Sequence, residues 1–385
     1  MSNFRFVTAG ESHGKGLVTI IQGMVAGLAI TEDYIAIDLR RRQFGYGRGG
    51  RMTIEQDRAE ILSGVRYGFT IGSPIGLLIW NRDWDHWRET MSVESIDSQV
   101  EPITTPRPGH ADLTGAVKYG IGDIRPVLER ASARETAARV AVGAIARRFL
   151  EELGIIIHSH TLSIGNIRVP DKVTIDWQVV ESSPLRCADS TAEKKMIAAI
   201  DKAKANGDTL GGVFEVIASG VPVGLGSHVQ WNERLSGRIA QAIMSINAVK
   251  GVEIGCGFSL AELPGSMAHD EIKPNEGNIP FWIRSTNRAG GIEGGISNGE
   301  PIVLRAAMKP IATLVDPLPS IDLTTKKAAK AHYERSDVCV IPAAGVIGEA
   351  MLAVVLADAI LQKFGGDHLN ETLANFQHYI NSISS

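Results

Sequence analysis

Residues 343–361 read AAGVIGEAMLAVVLADAIL, which is the most apolar stretch of the chain. The stretch has almost no polar side, and it therefore predicts a helix from about Ala344 to Phe364 that is buried on all sides. Gly365 is the residue type that ends such a helix. Glu349 and Asp358 lie inside the stretch, where lipid would make them costly, so we expect a core helix and no membrane span.

A second segment has the same character. Residues from about Ala131 to Leu153 are rich in alanine, valine and leucine and stop at Gly154. They predict a second long helix with little polar surface, buried on several sides. Arg147 and Arg148 near its end are expected on a solvated face, in surface ion pairs.

Three segments of the first half have counterparts, in the same order, in the second half. The pairs are Val18–Leu28 with Phe214–Leu225, Gly68–Leu77 with Gly295–Leu304, and the two apolar helices. The first pair reads as a strand and turn that lead into predicted helices at Thr31–Arg42 and Asn232–Ile246. The second pair reads as a turn followed by a strand that begins with proline.

These pairs favour an internal pseudo-repeat, with units of about 1–160 and 205–385, inside a single domain of residues 1–385. The competing interpretation is that Gly-x-Pro-Ile turns recur by chance in proteins that mix helices and strands. The predicted fold class is α+β. We expect an internally duplicated β-α-β sandwich in which antiparallel sheets flank a central layer of long helices.

The amino-acid composition limits the classes of function that this protein can have. The chain has 385 residues, 44% hydrophobic and 21% charged, with a net charge of −4. These values are typical of a soluble protein and give no support to general polyanion binding. Its cysteines, Cys187, Cys256 and Cys339, are odd in number and far apart. They predict no metal site and no disulfide, which together with the lack of an apolar leader favours the cytoplasm.

Two histidines lie in short polar segments whose residue types are not those that a packed core requires. His13 lies in GESHG, residues 10–14, and His110 lies in RPGHAD, residues 107–112. Glycine or proline beside each ring lets the backbone approach a ligand closely. Histidine exchanges protons near neutral pH, so both are candidates for acid–base chemistry, the alternative being that they are ordinary loop residues.

Basic residues cluster around glycine-rich loops. The clusters are Arg40, Arg41, Arg42, Arg48 and Arg51; Arg107, Arg125, Arg130, Arg134 and Arg139; and Lys309 with Arg335. Arginine binds carboxylate and phosphate through two parallel hydrogen bonds. The clusters therefore predict a small substrate with several anionic groups.

Two glycine-rich segments need separate interpretation. Residues 45–50 match GxGxxG, but they follow a helix, whereas a dinucleotide-binding fingerprint follows a strand, so we reject a Rossmann fold. Residues 287–296 contain four glycines and predict a loop whose backbone contacts a flat or bulky ligand. A plain flexible loop is the alternative for that segment.

Taken together, these motifs resemble the chorismate synthase family over nearly the whole chain. The resemblance is carried by residues 10–14, the spacing of Arg42 and Arg48, and residues 107–112, 130–136, 244–255, 289–295 and 335–337. It implies conversion of 5-enolpyruvylshikimate 3-phosphate to chorismate by a 1,4-anti elimination of phosphate that needs reduced FMN. It also implies a homotetramer with helices between antiparallel sheets.

The resemblance further implies roles for individual residues. His13 would protonate the departing phosphate, His110 would protonate or hydrogen-bond the reduced flavin, and Asp337 would help proton removal at C6. Arg42, Arg48, Arg107 and Arg134 would bind the substrate or NADP. The implied FMN contacts are Arg130, Ala131, Ser132, Asn247, Ala248, Gly294, Lys309, Pro310, Ile311, Ala312, Thr313 and Arg335. Ala131, Ile311 and Ala312 replace hydroxyl residues that are frequent in the family, and Ser336 replaces a histidine.

Two other functions stay open at this point. One is a flavin oxidoreductase that consumes NADPH and acts on a polyanionic metabolite. The other is an RNA-binding or polyanion-binding module, which the net charge and the lack of aromatics among the arginines disfavour. For the synthase, NADPH is a possible source of electrons. The chain carries no recognisable reductase module, so we expect an external flavin reductase.

Overall fold

The computed structural model describes residues 4–49, 55–97, 100–276 and 280–383. Its strands are β1 Arg5–Ala9, β2 Gly16–Gln22, β3 Ala59–Ser63, β4 Val65–Arg66, β5 Phe69–Thr70, β6 Ile75–Trp80, β7 Ile156–Ile164, β8 Ile167–Arg168, β9 Gly212–Ser219, β10 Val249–Ile254, β11 Ile272–Pro274, β12 Trp282–Arg284, β13 Ile292–Glu293, β14 Ile296–Ser297, β15 Ile302–Met308, β16 Pro319–Ile321 and β17 Ala328–Lys330. Its α-helices are α1 Glu32–Gln43, α2 Asp112–Tyr119, α3 Arg125–Arg130, α4 Thr136–Glu151, α5 Trp177–Ser182, α6 Ser190–Ala205, α7 Leu235–Met244, α8 Gly265–Ala268, α9 Ile341–Phe364 and α10 Leu369–Ser382. Arg51, from the first arginine cluster, lies outside the described residues.

Two larger antiparallel sheets dominate the fold. The first has the strand order β1-β2-β6-β3, and the second has the order β10-β15-β9-β7-β8. Every neighbouring pair in both sheets is antiparallel. Helices and antiparallel sheets in one chain confirm the α+β class.

The two sheets share one topology. Numbered along each half of the chain, β1, β2, β3 and β6 follow the order 1-2-4-3, as do β7, β9, β10 and β15. In each half a helix, α1 or α7, connects the second strand to the third, and a long helix, α4 or α9, follows the fourth. The duplication stays a prediction. On this pattern a second unit would begin at Ile156, earlier than the predicted residue 205.

The long helices lie between the sheets. Helix α4 packs along α9, α4 also contacts β1, β2 and β6, and α9 contacts β7 and β9. The two helices approach so closely at Gly143 that a Cβ there would lie 2.2 Å from the Cβ of Ala350. Glycine at this position therefore sets the spacing of the central helical layer.

Helix α9 carries the stretch that decides the fold, and it is buried as predicted. It begins at Ile341, slightly before the predicted Ala344, because Pro342 fits the first turn of a helix. It is long and apolar enough to cross a membrane, yet its most apolar window is 100% buried inside the fold. Asp358 is paired with Arg238 and accepts a backbone N–H at 2.8 Å, so the core contains it without an unpaired charge.

Three other predicted helices differ from the structure only at their ends. Helix α4 begins at Thr136 and not near Ala131, because the Ser132 side chain caps a 3-10 turn over Ala133–Glu135. Helix α1 lies one residue beyond its prediction, with Thr31 as the N-cap. Helix α7 spans Leu235–Met244, shorter than predicted, because a 3-10 turn precedes it.

One sequence expectation about surface charge is wrong. Arg148 does pair with Glu151 and Glu152, but Arg147 is mostly buried and pairs with Glu349. Glu349 has a fully buried side chain and also pairs with two further arginines. Periodicity could not reveal this partner, because it lies 202 residues away in the sequence.

The Glu349 carboxylate connects several elements of the core. Arg41 of α1 donates to its two oxygens at 2.8 and 3.0 Å, and Arg186 donates at 3.0 Å. The hydroxyl of Ser159, on β7, donates at 2.6 Å. Arg41 is adjacent to Arg42, so this buried network also fixes the end of α1 from which an arginine reaches the site described next.

Candidate active site

A cavity of about 1040 Å³ lies where the loops of both halves meet the start of α9. Its volume is at the upper end for small-molecule sites and leaves room for a substrate beside a cofactor. Most residues that the sequence singled out line it: His13, Arg42, Arg48, Arg107, His110, Ala131, Ser132, Arg134, Asn247, Ala248, Lys309, Ile311, Ala312, Thr313, Arg335 and Asp337. The fold thus brings together motifs that span more than 300 residues of sequence.

Three predicted flavin contacts lie outside the wall of this cavity. The Arg130 guanidinium donates to the backbone carbonyls of Thr8 and Gly10, which turns it towards β1. Gly294 lies in the tight turn between β13 and β14. Pro310 interrupts the lining between Lys309 and Ile311. Their roles in cofactor binding stay predictions.

Three contacts hold His13 in position. Its Nδ1–H donates to Glu129 Oε1 at 2.8 Å, and its backbone N–H donates to Glu129 Oε2 at 2.8 Å. Trp87 stacks on the imidazole with ring centroids 3.9 Å apart. The side chain is 13% exposed, whereas that of Glu129 is fully buried. The ring therefore has a fixed position in the cavity wall.

His110 has a carboxylate partner of its own. Its Nδ1–H donates to Asp112 Oδ1 at 2.5 Å, and Arg107 Nε donates to Asp112 Oδ2 at 2.8 Å. Burial raises the pKa of Asp112, but the hydrogen bonds from His110 and Arg107 outweigh it and hold that pKa well below its usual range. Asp112 is thus an ionised anchor that orients both side chains. Arg107 also donates to Thr313 Oγ1 at 3.0 Å.

Arg42 and Arg134 share one buried carboxylate. Asp57 is fully buried and pairs with Arg42 Nη1 at 3.3 Å and, through its other oxygen, with Arg134. Arg134 Nε donates to Asn81 at 2.9 Å, while its Nη2 is buried without a hydrogen bond within the described part of the chain. Burial lowers the pKa of Arg42 to about 10, although Asp57 opposes the shift. Arg134 Nη2 also lies 3.5 Å from an oxygen of the buried Glu55, so Asp57 and Glu55 together hold both guanidinium groups in the cavity wall.

A second arginine–aspartate pair lines the same cavity. Arg48 Nη1 is 3.2 Å from Asp337 Oδ2, and the backbone N–H of Gly49 donates to Asp337 Oδ1 at 2.5 Å. The Asp337 side chain is 19% exposed, so it is fixed without being closed off from the cavity. Arg335, two residues earlier, is exposed and has no ion pair in the described ranges.

One wall of the cavity has polar groups without a protein partner. Asn247 Nδ2 donates to the carbonyl of Ala131 at 2.9 Å, but Asn247 Oδ1 is buried without a hydrogen bond among the described residues. Ala248 beside it has φ +66°, a conformation that is strained for alanine. Among the described residues, Lys309 Nζ donates a single hydrogen bond, to the carbonyl of Pro310 at 3.4 Å. Burial, and secondarily the charge of Lys250, lowers the pKa of this lysine. A bound anion would offset both effects and stabilise the ammonium form.

Sequence reasoning missed the carboxylates behind the site. Asp57 and Glu129 lie outside the motifs that the sequence singled out, and only the fold brings them to an arginine or a histidine. Asp112 could have been found, because it lies two residues after His110. The rim formed by Asp83, His86, Trp87 and Thr90 was also missed, since it belongs to a short 3-10 segment without a motif.

The glycines of residues 287–296 have a structural function that the sequence did not reveal. A Cβ at Gly290 would lie 2.2 Å from the backbone nitrogen of Gly255. Gly290 and Gly291 also have positive φ angles, of 63° and 79°. The segment is a folded hairpin leading into β13 and β14, and the interpretation as a plain flexible loop is wrong.

We expect Arg134→Ala to weaken the binding of an anionic substrate by about 10- to 100-fold, because a charged hydrogen-bond donor is lost. Arg134→Lys should restore only part of the affinity, since lysine cannot make the two-point contact. Titration calorimetry of the variants with substrate measures both effects. The matched control is Arg148→Ala, a surface arginine of α4, which should bind like the parent protein. Full rescue by lysine would contradict a two-point role.

Comparison with known proteins now bears on this cavity. The family model for chorismate synthase matches residues 4–361. The chain belongs to the chorismate synthase family. The chorismate synthase of Moorella thermoacetica is 56% identical over 98% of this chain and 100% of its own length. That of Aquifex aeolicus is 55% identical over 99% of this chain and 98% of its own.

A solved structure agrees. A crystal structure of chorismate synthase superposes with a TM-score of 0.80, at 45% identity, covering 99% of this chain and 98% of the other. Membership of the chorismate synthase family makes the chain an enzyme, of the lyase type. The cavity holds most residues of the family motifs and is therefore the candidate active site of this chorismate synthase homologue.

Proposed function

We propose that the cavity converts 5-enolpyruvylshikimate 3-phosphate to chorismate and phosphate by a 1,4-anti elimination, with reduced FMN bound beside the substrate. One observation carries the proposal: two histidines, each paired with a carboxylate, share a cavity with Arg42, Arg48 and Arg134. Such a set suits a reaction that moves protons on a polyanion.

The arginines account for binding of the substrate. It carries one phosphate and two carboxylates, which need several two-point cation partners. Arg134 supports this role because it lines the cavity and its buried Nη2 has, in the described structure, only a long ion-pair contact of 3.5 Å with Glu55 and no hydrogen bond. Arg42 and Arg48 line the same cavity, as does Arg107, which Asp112 holds in place. These four residues would bind the substrate, with NADP as the alternative ligand for Arg42 and Arg48.

The histidines account for the proton steps. His13 Nδ1 is engaged by Glu129, so His13 would donate a proton from Nε2 to an oxygen of the departing phosphate. His110, engaged at Nδ1 by Asp112, would in the same way present Nε2 to the reduced flavin. Asp337 would assist removal of the proton at C6. Arg42, Arg48 and Arg134 would at the same time stabilise the charge that develops on phosphate.

The residues on the opposite wall fit FMN. Asn247 Oδ1 and the Lys309 ammonium would bind its polar edge and its phosphate, and Ala131, Ser132 and Ala248 would contact it closely. Ile311, Ala312, Thr313 and Arg335 line the same region. Bound reduced FMN would supply a transient electron transfer that makes the two bonds labile and returns the electron at the end. The side chains supply position, anion binding and proton transfer.

The same proposal covers the cellular compartment, the oligomeric state and the source of reduced FMN. The protein would act in the cytoplasm as a homotetramer, and an external flavin reductase or NADPH would supply reduced FMN. The shared strand order of the two sheets supports an origin by internal duplication.

The test is an anaerobic assay with the purified protein, 5-enolpyruvylshikimate 3-phosphate and chemically reduced FMN. We expect chorismate and inorganic phosphate to appear together, and no product when FMN is left oxidised. Absence of chorismate, combined with steady loss of NADPH in the presence of another acceptor, would favour a flavin oxidoreductase acting on a polyanionic metabolite.

A further inference from the structure

Glu129 is a buried carboxylate dedicated to one loop. Its side chain has no exposed surface, and it is not part of the cavity lining. Its two oxygens accept the Nδ1–H and the backbone N–H of His13, each at 2.8 Å. Its own carbonyl accepts the backbone N–H of Ser12 at 3.2 Å. One residue of α3 thus fixes both the ring and the backbone of the His13 loop.

This contact decides which nitrogen of His13 is available for chemistry. An ionised carboxylate only accepts hydrogen bonds, so the nitrogen facing Glu129 carries a proton. Nε2 is then the nitrogen left for the cavity, and it has no hydrogen-bond partner within the described structure. Stacking on Trp87 holds the plane of the ring, and the hydrogen bond to Glu129 fixes which edge faces the carboxylate.

Glu129 also has a cationic neighbour. Arg125, on the same helix, has its Nη1 3.3 Å from Glu129 Oε1, and the same Nη1 pairs with Glu334 at 2.9 Å. The other charged groups lining this side are Glu334, Asp83 and His86. The fully buried Glu129 is the closest of them to the ring.

We infer that Glu129 is the positioning residue that keeps His13 protonated on Nδ1 and ready to donate from Nε2. The inference rests on the proposed function, in which His13 is the acid for the departing phosphate. Glu129 lies outside the cavity lining and would act through the His13 loop that it holds.

The experiment is the Glu129→Gln variant, which keeps the shape of the side chain and removes its charge. We expect kcat to fall by about 10- to 100-fold with little change in KM. An unchanged kcat, or a loss confined to KM, would overturn the inference.

A matched control exists in the same chain. Glu215 accepts a hydrogen bond from His160 Nε2 at 3.0 Å in the second sheet, outside the cavity lining. Glu215→Gln removes a comparable buried carboxylate, which pairs with a histidine and with Arg305, and should leave kcat and KM unchanged. A similar loss of kcat in this control would overturn the specific role of Glu129.

Double substitution separates action through His13 from a general structural effect. In a His13→Ala background, Glu129→Gln should add no further loss of kcat, whereas full additivity would overturn the inference. If Glu129→Gln fails to fold, NMR on the parent protein tests the inference instead. The measurement is the nitrogen chemical shifts of the His13 imidazole. Protonation on Nδ1 is expected, and a neutral ring protonated only on Nε2 would overturn it. A parent protein that makes no chorismate would instead refute the proposed function itself.

Discussion

His13→Ala lowers kcat by about 10²- to 10⁴-fold, the range that a positioned general acid contributes. The substrate should still bind, because Arg42, Arg48 and Arg134 do not depend on the imidazole for their position. Steady-state kinetics under anaerobic conditions with reduced FMN measure the loss. The reduction should fall on kcat, with KM changed little.

The matched control for that variant is a histidine on the cavity rim. His86 has an 82% exposed side chain, and His86→Ala should change kcat by less than about threefold, because an exposed ring is poorly placed for proton transfer. An unaltered kcat in His13→Ala would remove His13 from the mechanism. A loss confined to KM would assign it to binding.

Glu349→Gln lowers the free energy of unfolding by about 3–5 kcal/mol, the usual cost of removing one partner from a buried ion pair. Arg41, Arg147 and Arg186 all pair with this carboxylate, and their guanidinium groups would keep less of their counter-charge. Urea denaturation at neutral pH measures the change. Glu271→Gln is the control: that side chain is 69% exposed and pairs with the exposed Lys273, and its loss should cost less than about 1 kcal/mol.

The same carboxylate makes stability depend on pH. Burial raises the pKa of Glu349, but the charges of Arg41, Arg147 and Arg186 outweigh it and hold the pKa far below its ordinary value of 4.5. A lowered pKa adds stability above the unfolded value, and that stability is lost as pH falls towards the folded value. The difference between parent and Glu349→Gln should therefore be full at neutral pH and shrink below about pH 4.5. A constant difference across this range would contradict the account.

Much of the fold could be predicted from local pattern. The apolar run of 343–361 identified the core helix, and the three matched segments correspond to β2 with β9, β6 with β15, and α4 with α9. Helix ends were less predictable, because caps such as Ser132 compete with helical backbone. The sheet containing β7 was not foreseen, since its first strand lies before the predicted second unit.

The candidate site, like the fold, could be predicted from the sequence only in part. Histidines and arginines in glycine-rich frames could be found from sequence, because their loops differ from packed elements. Their counter-charges could not: Asp57 is 77 residues from Arg134, and Glu129 is 116 residues from His13. Pairings of that kind are set by how distant segments of the first half pack against one another. The arginine count likewise could not show that Arg147 belongs to the core.

The central claim is that this cavity performs an elimination with no net oxidation. We would incubate the protein without oxygen, with 5-enolpyruvylshikimate 3-phosphate in large excess over chemically reduced FMN, and follow the flavin absorbance with chorismate and phosphate. The account predicts one chorismate and one phosphate for each substrate consumed, over many turnovers per flavin, with the flavin still reduced at the end. Oxidation of one flavin for each product formed would contradict it.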